Sequence, residues 1–306
     1  MPRFSIILPC FNAQTTIGQT LAGLIAQSFQ DWEAICIDDG STDATADLIQ
    51  EMTKTDARIH LVRHRGKGPS AARNAGVAQH AHGDLIAFCD ADDIWHPNKL
   101  LQVISVFDDP KVDGAFGQIA FFHNTPEDAQ AWSTVPKAPL SIDMLLGENP
   151  VCTMSNLTLR KSAFLNGGGF DPNIVHNEDL EMLVRLVGMG VCILPVPALH
   201  TYYRTSPHGL SANLDAMLKG REQALATAAR FGVQPSRASH AIHHRYLARR
   251  ALRVDRARST ALRHSLTGLT HSPAGFMSPA RRGVLTLGAA LLATVLPRGI
   301  RRSLFC

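Results

Sequence analysis

The sequence predicts an α/β protein built on a doubly wound, mostly parallel sheet and followed by a basic helical extension. Three observations carry this. Between Phe4 and Phe107, four short apolar runs alternate with segments of helical spacing, the pattern of repeated β–α units that pair in parallel. An apolar fraction of 45% with 18% charged residues describes a chain that buries a sizeable core. The charge is also divided: from Arg230 onward there are 14 Arg and one acid, Asp255, whereas residues 1–229 hold 16 Lys+Arg and 25 Asp+Glu. The two parts carry +13 and −9, which sum to the overall +4. An acidic body with a basic tail implies two jobs.

Phe4–Leu8 reads as the first strand, broken by Pro9-Cys-Phe-Asn12. Ile17, Leu21, Leu24 and Ile25 then recur at helical spacing. Trp32–Ile37 is a second strand ending in Asp38-Asp39-Gly40, and Ser41 or Thr42 is placed to cap a helix running to about Met52. Ile59–Val62 is a third strand, and Pro69 opens a helix to about Gln79. Leu85–Cys89 is a fourth strand, with a helix from Pro97 to Phe107. Gly114–Phe122 reads as a longer strand, residues 123–148 as an irregular, flexible excursion, and Met154–Leu159 as another strand. Asn177–Val187 is helical, and Val191–Leu194 and Ala198–Tyr203 read as two closing strands. After Ser211 the spacing is helical and Arg-rich over Leu214–Phe231 and His240–Leu266. The expected domains are therefore 1–212 and 213–306.

The six cysteines are scattered with no CxxC pair, so they read as reduced thiols of a cytoplasmic protein, without a disulfide frame or zinc site. The apolar run at the N-terminus is too short for a signal peptide.

The candidate chemistry lies where strands end. Asp90-Ala-Asp92-Asp93 follows the fourth strand, and Asp38-Asp39 follows the second. Consecutive right-handed crossovers bring both turns to one edge of a parallel sheet, where α/β proteins bind ligands. Asp90 and Asp92, two apart in extended backbone, point to one side and offer hard oxygen donors suited to Mg²⁺ or Mn²⁺. The same cluster is equally open to reading as an acidic turn capping the next helix. Gly66-Lys-Gly68-Pro-Ser-Ala71 matches the dinucleotide fingerprint formally, but it follows the third strand, and Asp84, the acid nearest the expected distance, starts the fourth strand instead of ending one. It reads instead as a loop passing close to a ligand, with Arg73 aimed at phosphate or base. Glu178-Asp179 opens a helix; acids there suit the macrodipole, and one of them is placed to act as a general base. Tyr203-Arg204 leads to His208 and Ser211, a set open to phosphate binding, to a metal shell, or to a plain polar loop. His240, His243 and His244 read as surface residues.

Taken together, Ser5-Ile-Ile-Leu-Pro9-Cys-Phe-Asn12, Ile37-Asp-Asp-Gly-Ser-Thr-Asp43, Ala72-Arg-Asn-Ala-Gly76, Phe88-Cys-Asp-Ala-Asp-Asp93, Gly168-Gly-Phe-Asp171 with Glu178-Asp179, and Tyr203-Arg204 leading to His208 and Ser211 resemble the family 2 glycosyltransferases of GT-A fold. The resemblance covers about residues 3 to 211, and all six motifs occur in the family's order. It implies an inverting transfer of a sugar from a nucleoside diphosphate, of the UDP type, to a hydroxyl of a glycan or lipid-linked acceptor. Pro9, Asn12, Asp38, Asp39, Arg73, Asp90 and Arg204 would then bind the donor. Asp92, Asp90 and His208 would hold Mn²⁺ or Mg²⁺. Asp179, beside Glu178, would deprotonate the acceptor. Pro207 before His208 departs from the family's pattern. Two other readings compete. A sugar-phosphate nucleotidyltransferase would want a basic phosphate loop near the first strand, and Pro9–Gln14 has neither Lys nor Arg. A non-catalytic sugar-nucleotide-binding protein would not need Asp179.

On a helical wheel of residues 245–263, Leu247, Ala251, Val254, Ala261 and Leu262 share one face, with Arg245, Arg249, Arg253, Arg256 and Arg263 opposite and Arg258 falling on the apolar side. That predicts an amphipathic basic helix lying on an anionic membrane, and hence a protein peripheral to the inner face of the cell membrane. A helical subdomain packed on the core with a solvated Arg face would show the same pattern. Gly283–Pro297 is uncharged but shorter than the ~20 residues needed to span a bilayer, and with Arg281, Arg282, Arg298, Arg301 and Arg302 flanking it, it is open to lying in the membrane interface. Nucleic acid is a poor partner for the same charge, because the tail has few aromatics to stack on bases.

Overall fold

A computed structural model describes residues 1–65, 68–205, 214–254 and 258–305. The chain divides into two compact units, Met1–Leu140 with Pro150–Ser206, and Ser141–Asn149 with Pro207–Cys306.

The first unit begins as expected. β1 (Phe4–Cys10) is followed by α1 (Ile17–Ile25), β2 (Trp32–Asp38), α2 (Thr45–Thr55), β3 (Ile59–Arg63), α3 (Pro69–Ala75) and β4 (Leu85–Phe88). β1 pairs in parallel with β2 and with β4, and β2 with β3. The strand order β3-β2-β1-β4 reverses direction at β1, so a crevice opens between the carboxyl ends of β1 and β4. β1, β2 and β4 are buried almost throughout, which is why they read as unbroken apolar runs. α1 packs Ile17, Leu21 and Leu24 on this sheet with none of them exposed. Each such side chain contributes roughly 1.5–3 kcal/mol of burial.

β5 (Ile94–Trp95), α4 (Lys99–Ile104), β6 (Gly114–Phe122), β7 (Ala131–Trp132), α5 (Ile142–Gly147), β8 (Leu157–Arg160), α6 (Lys161–Asn166), α7 (Glu178–Gly188) and β9 (Ile193–Arg204) follow. The second half of the sheet, β8-β6-β9-β5, is mixed: β6 and β9 pair in parallel, while β8 runs antiparallel to β4 and β6.

Several local expectations are corrected. Neither Ser41 nor Thr42 caps α2; Asp43, the acid of the same turn, lies one residue before the cap position Ala44, and its Oδ1 accepts from the Thr45 amide at 3.0 Å. Met154–Asn156 is a 3₁₀ turn preceding β8. The two closing strands are one strand, β9. Its Pro195 and Pro197 lack ladder donors, and the register with β6 shifts there, so the sequence reads as interrupted where the sheet is continuous. The 123–148 excursion holds a 3₁₀ turn, β7 and α5.

The second unit takes α5 and adds α8 (Leu214–Arg230), α9 (Arg237–Arg253), α10 (Thr260–His271), α11 (Pro273–Phe276), α12 (Ala280–Val295) and α13 (Arg298–Phe305). The single amphipathic helix expected over 240–266 is two helices, and its apolar side is core: Leu247, Ala251 and Ala261 are each 3% exposed. Arg245, expected on an exposed basic face, is buried, donating to the Phe276 carbonyl at 2.9 Å and facing Glu148 at 3.6 Å. Arg249 and Arg282 meet the same carboxylate at 3.1 and 3.6 Å. Helical periodicity does not reveal that an acid 97 residues upstream turns this arginine face inward. The expected surface histidines are also half-buried, with His240 stacked on His271 at 4.9 Å between ring centroids. Arg256 and His208 lie outside the described residues.

Candidate active site

The site grows from the crevice edge of the first unit. Asp90 follows β4 and is fixed on three sides. Its amide donates to Ser155 Oγ at 2.9 Å, Thr153 Oγ1 donates to its Oδ2 at 3.1 Å, and Arg73 Nη2 donates to its Oδ1 at 2.6 Å. Arg73 projects from α3 and is buried; its Nη1 reaches Glu178 Oε1 at 3.3 Å. One guanidinium thus bridges an acid after β4 to an acid opening α7. Burial opposes the Arg73 charge, but Asp90 and Glu178 outweigh it and raise its pKa. Its Nε, buried, has no partner among the described residues.

Asn74, the next residue, holds the other side of the site. Its side chain accepts from the Phe170 amide at 2.9 Å and donates to the Phe170 carbonyl at 2.8 Å. That contact needs the left-handed turn at Gly168 and Gly169, with φ of +81° and +68°. A Cβ on Gly169 would lie 2.5 Å from Asn74 Oδ1, so only glycine fits. Arg185 of α7 ties down the same turn by donating to the Gly169 carbonyl at 2.7 Å while paired with Glu181 at 2.9 Å. Asn177, at φ 59°, then starts α7.

The acids of this region are pushed toward their neutral forms. Burial, with the Glu178 charge added, pushes Asp179 up to about 7. Burial raises Glu178 as well, against the pull of Arg73. Asp92, half-buried, is pushed up to about 6 by burial and by Asp90. Asp93, expected as a helix cap, is fully buried and accepts from the Arg204 amide at 3.0 Å.

On the other flank, Asp39 Oδ2 accepts from the Gly68 amide at 2.8 Å, and its Oδ1 meets His64 Nδ1 at 2.5 Å. Asp38 is bound into the turn, accepting from the Ser41 amide at 3.2 Å and from Arg63 at 3.3 Å. Asn12 Oδ1 accepts from the Thr42 amide at 2.9 Å, joining the β1 and β2 loops. Arg204 spends its guanidinium on the protein: Nε donates to the Asp92 carbonyl at 2.9 Å, Nη2 to Gln19 at 2.6 Å and Nη1 to the Asn124 carbonyl at 3.1 Å. It locks the end of β9 to the Asp92 loop.

The structure therefore joins Arg73, Asp90, Glu178 and Thr153 in one network, with Asp179 beside Glu178 and Asp92 beside Asp90. Asp38, Asp39 and Asn12 form a second set at the ends of β1 and β2. Thr153, Ser155, Asn74 and Arg185 were missed in the sequence; of these only Asn74, adjacent to Arg73 in Ala72-Arg-Asn, had a local signal. Phe11 was also passed over: it stands 62% exposed between Cys10 and Asn12, an aromatic face at the rim.

The model of glycosyl transferase family 2 matches residues 5–167, and that span contains Pro9, Asp39, Arg73, Asp90 and Asp92. The chain belongs to glycosyltransferase family 2. It is 36% identical over 218 residues to WfgD of Escherichia coli, named a UDP-Glc:alpha-D-GlcNAc-diphosphoundecaprenol beta-1,3-glucosyltransferase, covering 70% of this chain and 82% of that one. It is 41% identical over 100 residues to TuaG of Bacillus subtilis, spanning 32% of this chain and only 39% of that relative. In fold, it is similar to the mannosyltransferase PcManGT of Pyrobaculum calidifontis solved with GDP-Man and Mn2+, with TM-score 0.61, 19% identity, and 99% and 83% of the two chains covered. S. aureus TarS 1-349 in complex with UDP-GlcNAc gives TM-score 0.57 at 16% identity, covering 96% and 82%. Both are GT-A neighbours, and the fold of this chain is theirs.

Proposed function

We propose that this chain is an inverting glycosyltransferase that moves a hexose from a nucleoside diphosphate, UDP for preference, to a hydroxyl of a lipid-linked or glycan acceptor. The observation that carries the reading is the Arg73 bridge between Asp90 and Glu178, with Asp179 immediately beyond it. It sets the donor-side carboxylates and a basic carboxylate at fixed positions on one rim. The WfgD name supports a UDP-sugar donor and a lipid-linked acceptor.

The donor's base would lie between Phe11 and Asp39, with its diphosphate running toward Asp90 and Asp92. Asp92 and Asp90 fit a divalent cation: the Asp90 charge raises the cost of charging Asp92, and Mg²⁺ or Mn²⁺ sites of this kind take one or two carboxylates with the rest from phosphate and water. Among the described residues no group of three or more His, Cys, Asp or Glu is placed to hold a metal ion by itself. His208 remains a candidate third ligand from outside the described residues. When bound, such a cation neutralises charge developing on the departing diphosphate.

Asp179 accepts the acceptor's hydroxyl proton on one of its carboxylate oxygens as the oxygen attacks the anomeric carbon. A pKa of about 7 makes it a stronger base than an ordinary carboxylate and still partly ionised near neutral pH. Glu178 holds Arg73 and so keeps Asp179 in register with Asp90. A single displacement with the base opposite the leaving group inverts the anomeric centre. The first unit carries this chemistry, and the basic second unit brings it to an anionic membrane, where a lipid-linked acceptor resides. The test is turnover of UDP-sugars by the full chain with Mn²⁺. Failure to turn over any nucleotide sugar with any glycan or lipid-diphosphate acceptor overturns the proposal.

A further inference from the structure

α12 has two unlike faces. Gly283, Thr286, Ala290 and Ala293 are buried within the second unit. The Gly283 position is closely approached, since a Cβ there would lie 2.6 Å from Met277 Cα. The opposite face carries Val284, Leu285, Leu291, Leu292 and Val295, exposed by 60, 60, 51, 53 and 72%. At about 100° per residue these five and Gly288 fall within an arc of roughly 120°. A surface helix ordinarily turns its large apolar residues inward. Here the small residues face in and the large ones face out, along a stripe of about 17 Å. Large exposed apolar patches mark contact surfaces.

The surrounding charge selects the partner. Residues 256–306 contain eight Arg, no Lys and no acid. Arg281 is exposed in the same arc one turn before Val284, and Arg298 is exposed just past the C-terminal end of the stripe. α13 repeats the pattern, with Ile300 and Leu304, four apart, 49 and 61% exposed. A second copy of this face would set arginine against arginine, which costs free energy. A bilayer with anionic headgroups offers hydrocarbon to the leucines and negative charge to the arginines at once. Among the described residues no helix is long and apolar enough to cross a membrane, so α12 would lie in the plane of the interface.

We propose that α12, and not the arginine-rich α9, is the element that enters the membrane surface. The inference rests on the membrane reading given above and names its contact face. The α9 arginines Arg245 and Arg249 are drawn onto Glu148, and the apolar side of α9 is already core.

The test is flotation of the full chain with phosphatidylglycerol-rich vesicles and with pure phosphatidylcholine vesicles. We expect binding to the anionic vesicles that weakens with salt, and a loss of at least about tenfold in the Leu285→Glu/Leu292→Glu variant, since burying each leucine is worth roughly 1.5–3 kcal/mol. Both residues are solvent-facing, so the variant should melt with the wild type. Arg281→Gln/Arg298→Gln, which touches no apolar residue, should reduce anionic binding and its salt dependence. If the wild type binds and both variants bind equally well, the α12 assignment is overturned while the membrane reading stands. If the wild type binds neither vesicle, both fall. If sedimentation shows a concentration-dependent dimer that the leucine variant abolishes, the occupant is a second copy and the proposal is wrong.

Discussion

Asp179→Asn separates a catalytic carboxylate from a structural one, because the two roles predict opposite effects on stability. The folded protein raises the Asp179 pKa from 3.8 to about 7. A raised acid binds protons more tightly folded than unfolded, so its contribution to stability falls as pH rises. The penalty is absent well below pH 3.8, grows above it, and is complete above about 7. The full rise corresponds to about 4 kcal/mol. At a half-buried rim position with water screening it, we expect about 1–2 kcal/mol. Asn has the same shape and no charge. The variant should therefore melt several degrees higher than the wild type at pH 8, at roughly 2–4 °C per kcal/mol for a domain of this size, with the gap closing toward pH 4. Its sugar transfer should fall about 10²- to 10⁴-fold, the usual worth of a positioned base. Wild-type kcat/KM should rise with pH through about 7, and the variant should lose that rise. Calorimetry at pH 4 and pH 8, with product formation at both, decides it. A variant that keeps transfer, or that melts lower at pH 8, refutes the assignment of a desolvated base.

Arg73→Met should strand Asp90 and Glu178 beside each other; removing one partner of a buried ion pair costs about 3–5 kcal/mol, readable by urea unfolding, and transfer should vanish. Gly169→Ala should be destabilised by more than about 1 kcal/mol and lose kcat, because the left-handed turn and the Asn74 contact both exclude a methyl group. Phe11→Ala should raise the donor KM with little change in melting temperature, since this ring is mostly in solvent. Chelation should abolish transfer and added Mn²⁺ should restore it; full activity in excess chelator would remove Asp90 and Asp92 from any metal role.

The parts of this protein legible in its sequence are those with a local cause. β1, β2 and β4 are buried on both faces and so read as plain apolar runs, and acids at their ends stand out because nothing in a strand calls for them. Asp90 and Asp39 were found this way. Thr153 was not: its hydroxyl meets Asp90 across 63 residues, and a threonine in a loop announces no partner. Arg245 was misplaced for the same reason. Its helical phase was read correctly as polar, but phase says nothing of Glu148, which makes that polar face an interior one. β9 was split at its prolines because a missing donor looks the same whether a strand ends or merely shifts register.

α5 bears on how the chain is dissected. Residues 141–149 leave the first unit, join the second, and the backbone then returns to complete β8, α7 and β9. Ile142, Leu145 and Leu146 are buried there, and Glu148 gathers Arg245, Arg249 and Arg282. A cut at residue 212 is therefore not a seam. The shortened chain would keep a helix whose apolar side and acid have lost their counterparts, and the discarded piece would keep three arginines without their anion. The second unit is thus completed by a segment that lies, in sequence, inside the first.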